Sequence, residues 1–228
     1  MRLADERSTY LGLSCVMRSN KDAILGLLKD KMQKRIQSWK GRFLSTVGRE
    51  VLLKIVAQAL PSFAMSVFLL PLKTCSHLKS LMTKYWWSLS GRKGVSWFIW
   101  RKLCKNKNSG GMGFQSLREY NLSLLGKHGW QLLVYQDSLV GRIYKARYFS
   151  NCTFLEAELG GNPSFIWRSV FKSQTLLKDG ARSRIGPGSS TEVLNTPWLL
   201  SEDNQCVVSY HPALTNCKVS QLMKPGSR

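Results

Sequence analysis

Two stretches of the 228-residue sequence gather cations at spacings that suit phosphate chemistry. In KMQKRIQSWKGRFLSTVGR stand Lys31, Lys34, Arg35, Lys40, Arg42 and Arg49, and in RKGVSWFIWRKLCKNK stand Arg92, Lys93, Arg101, Lys102, Lys105 and Lys107. Neither run contains an acid, and none occurs from Val51 to Arg118, where eleven Lys or Arg lie. Cations without local partners suit a polyanion. The stronger candidates for nucleic-acid contact are Lys34, Arg35, Lys40, Arg42 and Arg49. Lys40 and Arg42 flank Gly41, so a flexible turn between two helices can lay several cations on one phosphate track. Arg49 is expected to open the second helix, where unpaired backbone N–H groups also favour phosphate. Arg101, Lys102, Lys105 and Lys107 follow Trp97 and Trp100, an interleaving of aromatics and cations that suits single strands. The competing reading of both runs is a solvated basic face, with Trp39, Trp97 and Trp100 turned into the core.

Other chemistry finds less support. The cysteines stand at 15, 75, 104, 152, 206 and 217, with no CxxC pair and no histidine at zinc-ligand spacing. They are expected to be reduced and structural, with no metal and no cofactor. His128 is a lone histidine on an apolar helix and reads as structural. Ser190 and Thr191 have no base near them in sequence. The sequons at Asn121 and Asn151 read as chance, and no catalytic residue is assigned.

The whole composition agrees with a polyanion partner. There are 34 Lys and Arg against 13 Asp and Glu, a formal charge of +21, yet 43% of residues are hydrophobic and can bury a core. The apolar stretch from Ile55 to Leu72 is broken by Pro61 and carries Gln58, Ser62 and Ser66. It reads as kinked core helix, and a membrane partner is not expected.

The elements that would position these cations are mostly helices. YLGL at 10–13 suits a short strand. Ile24, Leu28, Met32, Ile36 and Trp39 predict a helix over 21–39. A second is expected over 49–60, with Ser45 or Thr46 as its cap and an apolar face of Leu52, Ile55, Val56, Ala59 and Leu60. A further helical piece should run from Pro61 to Pro71, and another over 74–89 with Leu78, Met82, Tyr85 and Leu89 inward. WFIWRKLC fits strand or helix, and NSGGMGF is a Gly-rich connector that lacks the Lys-Ser/Thr of a Walker loop. Helices follow over 116–134, 138–149 and 164–177. From about 180 the periodicity is lost. The fold class is mainly α, with a short N-terminal strand and an irregular C-terminal region.

YLGL (10–13), WKGRFLSTVGRE (39–50), KIVAQALPSFAMSVFLLP (54–71), WFIWRKLC (97–104), GGMGF (110–114) and LREYNLSLLGKHGWQLL (117–133) occur in a telling order. So do SLVGRIYKARYF (138–149), NPSFIWRSVF (162–171) and RIGPGSSTEVLNTPWL (184–199). The ordered set resembles the reverse transcriptase of plant LINE-type, non-long-terminal-repeat retrotransposons, and covers the chain to about Leu200. It is also similar to fragmentary reverse-transcriptase-like reading frames of plant mitochondrial genomes. The resemblance implies a remnant of the last palm strand and linker over 1–20, a thumb-like helical bundle over 21–91, a basic and aromatic connection over 92–179, and an irregular, degenerate tail over 180–228.

The family's polymerase centre is an Asp-Asp turn plus an earlier Asp, which hold two metal ions. Nothing here corresponds. Asp5 and Glu6 precede YLGL outside that setting, and Asp22 and Asp30 read as surface charges. The segment VLNTPWLL also departs from the family's Ile-Trp-x-Asp-x-Trp-Leu pattern. The resemblance therefore implies a non-catalytic fragment whose partner is RNA or DNA backbone, bound weakly and without sequence preference. The alternatives are a basic structural component of a ribonucleoprotein assembly, or a product without function. Mitochondrion and nucleus are the compartments it suggests.

Overall fold

The computed structural model describes residues 9–10, 13–14, 21–39, 44–88, 99–182, 185–189, 191–194, 196–199, 206–207, 209 and 211–223. The chain is mainly helical and divides into two compact units, Met1–Leu176 and Leu177–Arg228.

In the first unit, Thr9–Tyr10 (β1) pairs antiparallel with Leu13–Ser14 (β2), in the register Thr9 to Ser14 and Tyr10 to Leu13. The single strand expected at 10–13 is instead split between the two arms of a tight hairpin. Helix α1 (Lys21–Gln37) follows. Its stripe is as the sequence spacing requires: Leu28, Met32, Ile36 and, just beyond the helix, Trp39 are all buried. Burial of each such side chain contributes about 2 kcal/mol. The cations fall between these positions and face water.

Helix α2 (Thr46–Leu52) starts three residues before the expected point, because the Ser45 hydroxyl accepts the Gly48 N–H at 3.2 Å. The helix then widens into a π turn over Leu53–Ala57, marked by the Gln58 N–H donating to the Leu53 carbonyl at 2.9 Å. One extra residue in the turn rotates the following side chains by about 100°. The expected apolar face is overturned accordingly. Leu53, Ala57, Gln58 and Pro61 are buried, whereas Ile55 is 67% exposed.

Helix α3 (Ser62–Val67) begins after Pro61 and ends where Phe68 turns extended. Pro71 then sits at the N-cap of α4 (Leu72–Trp86), whose Leu78, Met82 and Tyr85 are buried as the spacing predicts. The apolar stretch 55–72 is therefore divided among a π turn, α3 and an extended link. No helix among the described residues is long and apolar enough to cross a membrane.

WFIWRKLC yields the short helix α5 (Trp100–Leu103). Helix α6 (Leu117–Val134) is capped at Ser116 and buries Leu117, Asn121, Leu125 and Leu132. His128 departs from expectation. It lies on the exposed side of α6, where Nδ1 is 3.3 Å from Gln131 Oε1. Asn121 has no exposed surface. Its Oδ1 accepts the Leu70 N–H at 2.7 Å, and its Nδ2 donates to the carbonyls of Met65 and Phe68 at 2.6 and 2.8 Å. This amide locks α6 to the link between α3 and α4, where the backbone would otherwise be buried without partners. Arg118 adds a bond to the Leu70 carbonyl at 3.0 Å.

Helices α7 (Leu139–Tyr148) and α8 (Phe165–Phe171) meet around Trp167, which is fully buried and stacks on Tyr148 at 4.6 Å. Helix α9 (Gln174–Gly180) follows, and the buried Gln174 amide donates to the Phe154 and Ala157 carbonyls. The expected single helix over 164–177 is thus two, separated by a turn at Lys172–Ser173.

The second unit is irregular but tied together. Val193 and Val219 are buried, the Val193 N–H donates to the Cys217 carbonyl, and the Val219 N–H donates to the Thr191 carbonyl. Lys218 pairs with Glu192 at 3.1 Å.

Candidate nucleic-acid interface

Lys34 and Arg35 occupy the last turn of α1 and are exposed. Cations there also suit the negative end of the helix dipole. The end of α1 is fixed by Trp39, whose ring lies 5.4 Å from that of Tyr85 near the end of α4. The aromatic is therefore core, as its place in the stripe implies. Lys40 and Arg42, along with Arg92, Lys93 and Trp97, lie outside the described residues.

Arg49 is placed differently from its neighbours in sequence. It stands in the body of α2 rather than at its start, and is half-buried. Its Nη1 donates to the Ser88 carbonyl at 2.5 Å and its Nε to the Leu44 carbonyl at 3.4 Å. The guanidinium thus braces α2 against the end of α4. Its cation also opposes the effect of burial, which raises the pKa of the Tyr85 hydroxyl.

In the second run, Trp100 is buried and its indole stacks on Phe114 at 5.0 Å. Phe114 in turn meets Trp86 edge-on at 5.4 Å. Anchored by these rings, α5 holds Arg101 and Lys102 at the surface, and the loop after it exposes Lys105 and Lys107. That loop folds back on α5: Met112 and Phe114 N–H groups both donate to the Leu103 carbonyl, and Gly113 N–H donates to that of Lys105. Gly111 is required there, since a Cβ would overlap the Lys105 carbonyl. The Gly-rich connector therefore serves to aim lysines.

The two runs meet at Glu50. Its Oε1 accepts from Lys54 Nζ at 2.8 Å and Lys107 Nζ at 3.0 Å. Hydrogen bonds from Lys54 and then Lys107 hold the Glu50 carboxyl below its ordinary pKa. Lys54 also lies 5.7 Å over the Phe114 ring. Motif and spacing do not single out Glu50 and Lys54, although the sequence carries a signal. Glu50 is the sole acid between Asp30 and Glu119. Through this pair and the Trp86–Phe114–Trp100 joint, segments distant in sequence share one end of the helical unit.

The arrangement offers electrostatics and little else. Among the described residues no group of three His, Cys, Asp or Glu gathers as a metal site. The five described cysteines are free, and burial pushes the Cys104 thiol up to about 11, far from a reactive thiolate.

Comparison with known proteins follows the same chain region. The sequence is 38% identical over 146 residues to an uncharacterized mitochondrial protein of Arabidopsis thaliana, AtMg00310, covering 63% of this chain and 95% of that protein. It is 31% identical over 132 residues to At1g65750 of the same plant, a protein named as a candidate ribonuclease H. That match covers 58% of this chain but 21% of the longer protein, so the chain spans about a fifth of that relative. No family model and no solved structure matches. With 95% of AtMg00310 aligned at 38% identity, the chain belongs to the family of that mitochondrial protein.

Proposed function

We propose that the chain is a non-catalytic piece of a plant LINE-type reverse transcriptase, its thumb and connection, that grips RNA or DNA through the phosphate backbone. The observation that carries the binding is the meeting of the two cationic runs at Glu50. Lys34, Arg35, Arg101 and Lys105 are held at the surface by buried aromatics, while the one local carboxylate is already shared by two lysines. Backbone neutralisation of this kind has no base readout, so binding is independent of sequence. The ordered motifs support the retroelement origin, as does a longer relative that bears a ribonuclease H name. The name of the other relative supports a mitochondrial setting. The carboxylates of a polymerase centre have no counterpart in the sequence, so the reading assigns no nucleotide transfer.

The test is fluorescence anisotropy with two unrelated RNA oligonucleotides of equal length. Both should bind alike at about 50 mM salt, and affinity should fall linearly on a log–log scale as salt rises. Replacing Lys40 and Arg42 with Gln should weaken both complexes equally. Absence of binding at low salt would sink the proposal.

A further inference from the structure

A second surface, distinct from the cationic end, lies between α3, α6, α7 and α8. These helices enclose a groove of about 540 Å³. On α6 its wall is His128, Gln131, Leu132 and Tyr135, one face of the helix over two turns. Val140 and Tyr144 of α7, and Ile166 and Val170 of α8, supply the facing walls. The bottom is dry, with Leu132 and Val170 buried, whereas the lips are open: Tyr135 is 63% exposed, Val140 57% and Ile166 37%. Leu139 and Ile143 continue this apolar surface along α7, at 72% and 55% exposure. Aliphatic side chains this open and this clustered mark an interaction site.

The charge around the groove indicates what covers it. From Lys127 to Tyr148 the one acid is Asp137, against Lys127, Arg142, Lys145 and Arg147, and α8 adds Arg168. Lys145 donates to Gln136 Oε1, and Arg147 lies over the Tyr148 ring. None of these cations pairs with a carboxylate among the described residues. An apolar hollow rimmed by such cations complements a helix with one apolar face and acidic flanks. Nucleic acid would leave the aliphatic lips in water, and a flat bilayer surface would leave the hollow unfilled.

We propose that this groove docks an acidic amphipathic helix of a partner protein. Leu132 and Val170 receive its apolar side chains, and Lys127, Arg142, Arg147 and Arg168 meet its carboxylates. The residues are separate from those of the cationic end, so this surface stands or falls independently of nucleic-acid binding.

The experiment uses the whole chain and a fluorescent peptide of about five helical turns, with Leu on one face and Glu on the other. The amphipathic peptide should bind about tenfold tighter than a scrambled peptide of the same composition. Val140→Asp with Ile166→Asp should weaken binding by about tenfold, whereas Val47→Asp, exposed on α2, should leave it unchanged. Arg142→Glu with Arg147→Glu, at surface positions that do not threaten folding, should weaken it as well. Equal binding of amphipathic and scrambled peptides overturns the proposal. So does wild-type affinity in either double variant, or binding to phosphatidylserine vesicles with none to the peptide.

Discussion

At the scale of single residues, two side chains carry more than their sequence positions suggest. Asn121 reads as part of a chance sequon, yet its amide is fully buried and serves three backbone groups. Asn121→Leu fills similar space but strands the Leu70 N–H and the Met65 and Phe68 carbonyls. The expected loss is about 3 kcal/mol, measured as a shifted urea midpoint with an unchanged slope. Asn121→Asp should fare no better at neutral pH, because a carboxylate cannot donate to the two carbonyls. Glu50 makes the second case. Its pKa is depressed in the folded chain, chiefly by the bond from Lys54 and next by that from Lys107. It therefore contributes stability at neutral pH, and that stability is lost as pH falls through its folded pKa. Glu50→Gln should flatten the acid side of the stability profile relative to wild type. Parallel profiles would show that the shared carboxylate does not couple to folding.

At the scale of elements, sequence period succeeds where a helix is regular and fails where it is not. The buried positions of α1 and α4 follow from spacing alone, and Pro61 and Pro71 bound α3 as fixed-φ residues must. The π turn is illegible because a 3.6-residue template has no place for an extra residue, so the period points Ile55 inward and the fold exposes it. Asn121 and Gln174 escape the period for a related reason: apolar spacing gives no weight to an amide that serves backbone elsewhere. Glycines sharpen the point, since two in helices should respond oppositely. Gly141 lies at the start of α7, where a Cβ would sit 2.6 Å from both the Tyr135 and Gln136 carbonyl oxygens. Gly141→Ala must displace that turn, and a destabilisation of about 2 kcal/mol is expected. Gly26, inside α1, has open space around its absent Cβ. Gly26→Ala should add about 0.5–1 kcal/mol by lowering the chain entropy lost on folding. Thermal unfolding of both variants checks the pair, and shifts of the same sign would contradict the local packing described.

At the scale of the molecule, a formal charge of +21 sets the sign of any partner but not the place where it binds. That place is only partly legible. Both cationic runs stand out in the sequence, but that Arg49 turns to the Ser88 carbonyl, and that Lys107 reaches Glu50, depends on tertiary proximity. Those two facts give the cations unequal roles. Arg49 is engaged as a brace, so Arg49→Gln should lower stability more than it lowers affinity for RNA. Lys34, Arg35, Arg101 and Lys105 are exposed and can form one track only if both runs face the same ligand. Replacing Lys34 and Arg35 with Gln, or Arg101 and Lys105, should each reduce the salt slope by about one for every phosphate left without its cation. The quadruple variant should show the sum of the two reductions, because phosphates along a single strand are neutralised additively. Glu50→Gln should act in the opposite direction and tighten binding, since it releases Lys54 and Lys107 from their carboxylate without removing a cation. If one pair of substitutions abolished the salt slope and the other left it unchanged, the binding surface would belong to one run alone. The junction at Glu50 would then be a structural tie rather than the middle of that surface.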